Sequence, residues 1–320
     1  MGKSALRDAA ASNLRIGTSG WNYPSGRGTW NGIFYPSGPK NTRRGAKPPF
    51  DELAYYAEHF DTVEINTTFY GQPKPAVAQT WVDRTPSGFE FSLKLYRQLT
   101  HAERPAEGPL DLAVIDEYRR GIEPLARAGK LGALLAQFPP SFKASPESCA
   151  YLEALLDRFR DYPVAVELRH RSWSDNFNTT LSLLNSKRAA LAQIDEPKFK
   201  LSIRQNQLPN ISGFYYMRLH GRNAAQWWKH DKSEDRYNYL YSAGELQSFA
   251  ETADAARRLV KKFHLYFNNH FASKAVANAV MIKSQLGEPV DGTYPPAFVE
   301  KYPETASIVS VQAAHQFALE

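Results

Sequence analysis

Polar and apolar residues alternate over 62–66, where Val63 and Ile65 lie between Glu64 and Asn66, so a strand there carries both polar side chains on one face. Short apolar runs ending in polar or charged residues recur at 15–20, 90–95, 131–137, 164–167, 190–195, 214–220 and 264–268. Between them, amphipathic stretches read as helices over 51–59, 75–83, 110–128, 146–159, 175–186, 243–261 and 271–286. Pro75 suits a first helical turn, and Pro139-Pro140 stops the fourth strand. Two connections are irregular, a Gly/Pro-rich excursion from about residue 21 to 49 and the return over 198–213.

Strands alternating with helices pair most economically as a parallel sheet with right-handed crossovers, and eight such units close into a (β/α)8 TIM-type barrel of the α/β class. An open doubly wound sheet is the second choice. It is disfavoured because Gly26-Arg27-Gly28 lies inside a long loop and lacks the third glycine of a dinucleotide turn. The expected organisation is a tail over 1–13, one barrel over 14–290 with long loops at its C-terminal face, and an extension over 291–320 packed on the barrel.

Barrel chemistry gathers at the C-terminal ends of the strands. Reading the alternation there gives Glu64 and Asn66, Ser92 and Lys94, Gln137, Glu167 and Arg169. Gln193 and Asp195, Arg218 and His220, and Asn268 complete the set. Apolar neighbours such as Ile65, Leu93, Val166, Ile194, Leu219 and Phe267 would pack outward beneath the helices. Glu64, Glu167, Asp195 and His220 are the candidate catalytic groups, with His220 favoured because an imidazole ordinarily titrates near working pH. The same carboxylates could instead neutralise Lys94, Arg169 and Arg218 in a structural ion-pair layer. Lys94 is read first as an electrostatic contact, with Schiff-base formation on desolvation as the less favoured role.

The chain has 320 residues, 42% of them hydrophobic and 13% aromatic, enough for one large core. Its 39 Lys+Arg against 33 Asp+Glu give a net charge of +6, compatible with an anionic partner. A lone cysteine, Cys149, excludes an intramolecular disulfide framework and reads as a packing residue. With no apolar run near Lys3, Arg7 and Asp8, the expectation is a cytoplasmic protein without a membrane span. Phosphate-cradling loops, zinc helices, Cys-x-x-Cys pairs and Gly-x-Ser-x-Gly elbows do not occur. No cofactor is evident, and no motif supports a divalent metal.

The loops bear on the ligand. Trp21, Trp30, Trp173, Trp227 and Trp228 all follow strands, whereas Trp81 lies in a helix. Residues 222–241 interleave Trp227, Trp228, Tyr237, Tyr239 and Tyr241 with Arg222, Lys229, His230, Lys232 and Arg236, and the first loop adds Arg27, Arg43, Arg44 and Lys47. Basic side chains among aromatics suit a phosphate-bearing or single-stranded nucleic-acid ligand; a lid packed on itself is the plainer alternative.

Gly17-Thr18-Ser19-Gly20-Trp21, Phe34-Tyr35-Pro36, the run 63–70, Phe91-Ser92-Leu93-Lys94 with Thr100-His101, and Gln137-Phe138-Pro139-Pro140 form an ordered series. It continues through Glu167-Leu168-Arg169-His170 with Ser172-Trp173, Arg218-Leu219-His220-Gly221-Arg222 and Tyr266-Phe267-Asn268-Asn269. In this series the chain resembles the YecE-like family, domain of unknown function 72. The resemblance implies a TIM-type barrel without an established reaction. It adds Trp21, Tyr70, His101, His170, Trp173, Arg222 and Asn269 to Asn66, Lys94, Gln137, Arg169, Arg218 and Asn268 as candidate ligand-binding residues. The expected function is an enzyme-like barrel of hydrolase, lyase or isomerase type acting on a small anionic, sugar- or nucleotide-like ligand. The alternative is a non-catalytic nucleic-acid-binding protein.

Overall fold

A computed structural model describes residues 12–36, 50–101, 110–205 and 208–313. The expected basic positions Arg43, Arg44 and Lys47, and most of the 1–13 tail, lie outside these residues. Nine strands form one sheet: β1 (Leu14–Ser19), β2 (Thr62–Ile65), β3 (Glu90–Lys94), β4 (Leu131–Gln137), β5 (Val164–Glu167), β6 (Ala190–Leu191), β7 (Gln193–Asp195), β8 (Phe214–Leu219) and β9 (Lys262–Phe267). Their order is β6-β5-β4-β3-β2-β1-β9-β8-β7, with every pair parallel. The edge strands β6 and β7 are separated in the chain by Ala192 alone, whose N–H donates to Val166 O at 2.9 Å. They share one position in an eight-position barrel, and the sheet closes through the interrupted strand.

The helices begin where the sequence supplies caps: α1 (Glu52–Ala57), α2 (Pro75–Asp83), α3 (Arg97–Thr100), α4 (Leu112–Arg127), α5 (Pro146–Arg158), α6 (Ser172–Asp175), α7 (Phe177–Ser186), α8 (Ala243–Arg257), α9 (Lys274–Gln285) and α10 (Pro296–Lys301). Asp51, Asp111 and Ser145 accept from first-turn N–H groups of α1, α4 and α5, and Ser242 with Glu245 forms a capping box on α8. The expected helix over 271–286 starts three residues late, because Ala272 and Ser273 adopt left-handed backbone (φ 53° and 68°).

The outer strand faces pack on the helices through Val63, Leu93, Val166, Met217 and Phe267, while Ala133, Leu135, Ala165, Ala190, Ala192, Tyr216 and Tyr266 fill the lumen. The small lumen residues leave volume for the tyrosines and for a large buried polar cluster above them. At the lower end Glu90 accepts from Lys262 at 2.7 Å and lies 3.2 Å from His264 Nε2. Burial works against the Glu90 carboxylate, but His264 and Lys262 bring it down to about 2. Midway, Tyr266 OH donates to Ser92 Oγ at 2.9 Å and lies 2.6 Å from Thr62 Oγ1. The segment after α9 returns over the first loop, where Tyr294 and Phe298 pack against Phe34. No helix among the described residues is long and apolar enough to cross a membrane.

Candidate functional site

The C-terminal end of β8 points Arg218 into the lumen, 1% exposed, between two carboxylates. Its Nε and Nη2 donate to Glu64 at 2.9 and 2.6 Å, and its Nη1 donates to Glu167 Oε2 at 2.5 Å. Glu64, at the end of β2, also accepts from Ser19 Oγ and Tyr216 OH, each at 2.7 Å. Glu167, at the end of β5, accepts from Arg169 Nε at 2.8 Å, and Arg169 Nη1 reaches Glu196 at 2.5 Å. Burial alone would raise the Glu167 carboxyl, yet Arg169, Arg218 and His220 hold it well below the usual range. Glu196 is pushed up by burial against the pull of Arg169. The forked guanidinium geometry explains why two arginines can hold three carboxylates so far from water.

His220 closes the cluster, with Nδ1 2.9 Å from the Asn268 carboxamide and Nε2 3.2 Å from Arg169 Nη2. Asn268 Nδ2 donates to Nδ1, so a neutral ring carries its proton on Nε2, 3.5 Å from Glu167 Oε1. Burial, opposed by Glu167 but aided by both arginines, draws the imidazole down to about 3. The expectation that His220 titrates near working pH is therefore corrected: the ring is a fixed neutral spacer inside a charged network.

Above this layer a cleft of about 910 Å³ opens at the barrel mouth, lined by Trp21, Asn66, Tyr70, Lys94, Gln137 and Asn268 of the expected set. Lys94 differs from the arginines. Its Nζ lies 3.8 Å over the Phe69 ring and makes no hydrogen bond or ion pair among the described residues. Its backbone carbonyl is fixed by Thr68 Oγ1 at 2.7 Å and Tyr118 OH at 2.9 Å. Burial, then the Arg218 charge, lowers the amine to about 7. The expected ion-pair layer thus forms without Lys94. Behind Phe69, His101 is drawn down to about 4 by burial and by Lys94. Residues over the mouth complete the cleft: Glu234, Arg236 and Tyr237 from the 222–241 segment, with Tyr23 stacked on His270 at 4.3 Å. Asn66 Oδ1, Glu234 Oε1 and Arg236 Nε are buried there without a hydrogen-bond partner among the described residues.

Several expected residues lie elsewhere. On the sixth strand, Gln193 bonds the outward Tyr215, and Asp195 accepts from Arg222 and from Tyr241 OH, each at 2.8 Å, behind the barrel wall. Asp195 and Arg222 are therefore separated from the lumen cluster, and Glu196 occupies the place expected of Asp195. Ala190 and Ala192 hold the lumen phase of that strand, and counting by two from them reaches Glu196. Asn269 points outward, donating to Tyr239 O and Asn278 Oδ1 at 2.8 Å. His170 is tied to Ser172 at 2.9 Å and does not line the cleft. Trp173 is a core residue, 1% exposed, stacked on Phe142 and donating to its carbonyl. Of the five loop tryptophans, Trp30, Trp173 and Trp227 are buried, Trp21 lines the cleft, and Trp228 is 60% exposed. The aromatic loop is largely engaged within the protein, with Arg222 and Tyr239 on Glu245 of α8 and Arg236 beside Trp227. Among the described residues, no group of three or more His, Cys, Asp or Glu side chains is placed to hold a metal ion.

Residues 15–302 match the family model for Protein of unknown function DUF72. UPF0759 protein YunF of Bacillus subtilis (strain 168) is 28% identical over 295 residues, covering 88% of this chain and 98% of that protein. UPF0759 protein YecE of Escherichia coli (strain K12) is 32% identical over 138 residues, covering 42% of this chain and 46% of that protein. The crystal structure of a DUF72 family protein from Thermotoga maritima MSB8 superposes with a TM-score of 0.73 at 33% identity, covering 86% of this chain and 99% of that one. A match over nearly the whole barrel, in sequence and in fold, leads to one assignment: the chain belongs to the DUF72 family.

Proposed function

We propose that the barrel mouth binds a small anionic, sugar-like ligand and that the chain is an enzyme of hydrolase, lyase or isomerase type acting on it. The observation that carries this reading is Lys94, a largely buried amine that opens onto the cleft and has no carboxylate partner among the described residues. A ligand carboxylate or phosphate supplies the missing negative charge to a cleft whose lining also carries Arg218 and Arg236. Asn66, Gln137 and Asn268 present carboxamides beside it, and the partnerless Asn66 Oδ1, Glu234 Oε1 and Arg236 Nε match a ligand bearing hydroxyl groups. Unmet buried polar atoms each cost about 1–3 kcal/mol, so a ligand that satisfies them gains in proportion.

Glu64 and Glu167 take a different part from the acid/base one the sequence suggests. Their oxygens are committed to Arg218, Arg169, Ser19 and Tyr216, and neither residue lines the cleft. We assign them to positioning Arg218, which does line it. The nucleic-acid alternative keeps Lys229, Lys232 and Trp228 at the surface, while the rest of the basic aromatic loop is engaged internally.

The test is thermal denaturation with ribose 5-phosphate and gluconate against ribose and glucose. The anionic compounds are expected to stabilise the protein, by about 2.7 kcal/mol at a hundredfold excess over Kd, and Lys94→Met is expected to remove the effect. Equal stabilisation by the uncharged sugars, or no dependence on Lys94, contradicts the reading. Stabilisation by single-stranded oligonucleotides alone, falling steeply with salt, transfers the site to nucleic acid.

A further inference from the structure

We propose that Lys94 condenses with a carbonyl carbon of the ligand to form an imine, so that the substrate is an aldehyde or ketone carrying an anionic group. The inference rests on the cleft being a ligand site and goes further by naming the reacting group and the substrate class.

The placement of the amine supports it. Lys130 Nζ, by contrast, donates to Val82 O and Thr85 O at 2.7 Å, and Lys262 Nζ to Glu90 at 2.7 Å. Lys187 Nζ donates to Asp157 at 2.8 Å. Lys94 Nζ lies over the Phe69 face at 3.8 Å with no hydrogen bond or ion pair among the described residues, on a backbone fixed by Thr68 and Tyr118, and its side chain lines the cleft. An amine held by oxygen acceptors must break those bonds before it attacks; this one need not. Burial and the Arg218 charge bring its pKa to about 7, leaving roughly half of it neutral at neutral pH. A lysine at its ordinary value is neutral in about one molecule in 2,500 at pH 7.

The chemistry balances with the ligand alone. The nitrogen lone pair forms the C–N bond while the carbonyl π pair moves to oxygen, giving a carbinolamine. That oxygen then leaves as water. Counted from the ammonium form, two of its three protons depart with the water and the third stays on the iminium nitrogen. The iminium accepts the electron pair released when a neighbouring C–H or C–C bond breaks, a proton released from carbon passing to the Glu234 carboxylate that lines the cleft, which is isomerase or lyase chemistry. The carboxamides of Asn66 and Gln137 sit in the same cleft, where they can hold the departing oxygen.

The experiment is reductive trapping. Full-length protein is incubated with dihydroxyacetone phosphate or pyruvate and sodium borohydride, and the modified peptide is located by mass spectrometry. Glycerol 3-phosphate and lactate, which lack the carbonyl, are tested in parallel for thermal stabilisation. A secondary amine at Lys94, formed at least about tenfold faster than on other lysines as its neutral fraction implies, supports the proposal when it is lost in Lys94→Arg. Its pH dependence should have a midpoint of about 7. Slow adducts spread evenly over surface lysines in both proteins overturn it. Stabilisation by glycerol 3-phosphate or lactate without trapping overturns the imine while the anion site stands, and absence of both effects overturns the two together.

Discussion

Arg218→Met removes one guanidinium and leaves Glu64 and Glu167 facing each other in a lumen closed to water. Breaking a buried pair from one side costs about 3–5 kcal/mol, because the abandoned charge has nowhere to go. Chemical denaturation of the variant should show a loss of that size; a change below about 1 kcal/mol, the range of exposed pairs, contradicts the network's role. Lys94 behaves in the opposite sense. Its ammonium is desolvated without a compensating carboxylate, so it destabilises the fold it sits in. The same residue scale separates position from chemistry for His220, whose neutral ring accepts from Asn268 Nδ2 and lies beside Arg169.

At the scale of elements, α4 approaches the loop before α2 so closely that a Cβ on Gly121 would lie 2.0 Å from Pro73 O. Helix propensity alone favours Gly121→Ala by about 1 kcal/mol. The overlap with backbone forces the helix to shift, and overpacking of this kind costs about 1–3 kcal/mol. The clash should win, giving a lower Tm; an unchanged or raised Tm would mean that α4 yields easily. The strands were legible because each carries an apolar outer face and ends in polar residues, and the lumen positions of Glu64, Lys94, Glu167, Arg218 and Asn268 follow from counting by two. The sixth strand misled for a physical reason. Its lumen phase is set by Ala190 and Ala192, small residues that leave room for Tyr216 and Tyr266, whereas polarity drew attention to Gln193 and Asp195 on the outer face. The loops resisted for another reason: Trp30, Trp173 and Trp227 follow strands as cleft-lining residues would, but tertiary packing buries them, and period-two counting does not reach into irregular chain.

At the scale of the whole molecule, one interrupted strand closes the barrel, and closure brings residues from β2, β3, β5, β8 and the chain after β9 to one mouth. The lower layer around Glu90 and the upper layer around Arg218 are both ion-paired, whereas Lys94 is an amine at the mouth with no hydrogen bond or ion pair among the described residues. Proton linkage makes this visible in global stability. With a folded pKa of about 7 for Lys94 against about 10.4 when unfolded, the unfolded chain binds more protons between these values, so stability rises with pH across that window. Below about pH 7 both states carry the proton and the dependence vanishes. The decisive measurement is the unfolding free energy of the wild type and of Lys94→Met from pH 7 to 10. The methionine variant should be the more stable at pH 7, and the wild type should close the gap by up to about 1.4 kcal/mol per pH unit. Two curves that stay parallel across the window would mean an ordinary, solvated lysine, and would contradict the account of the barrel mouth.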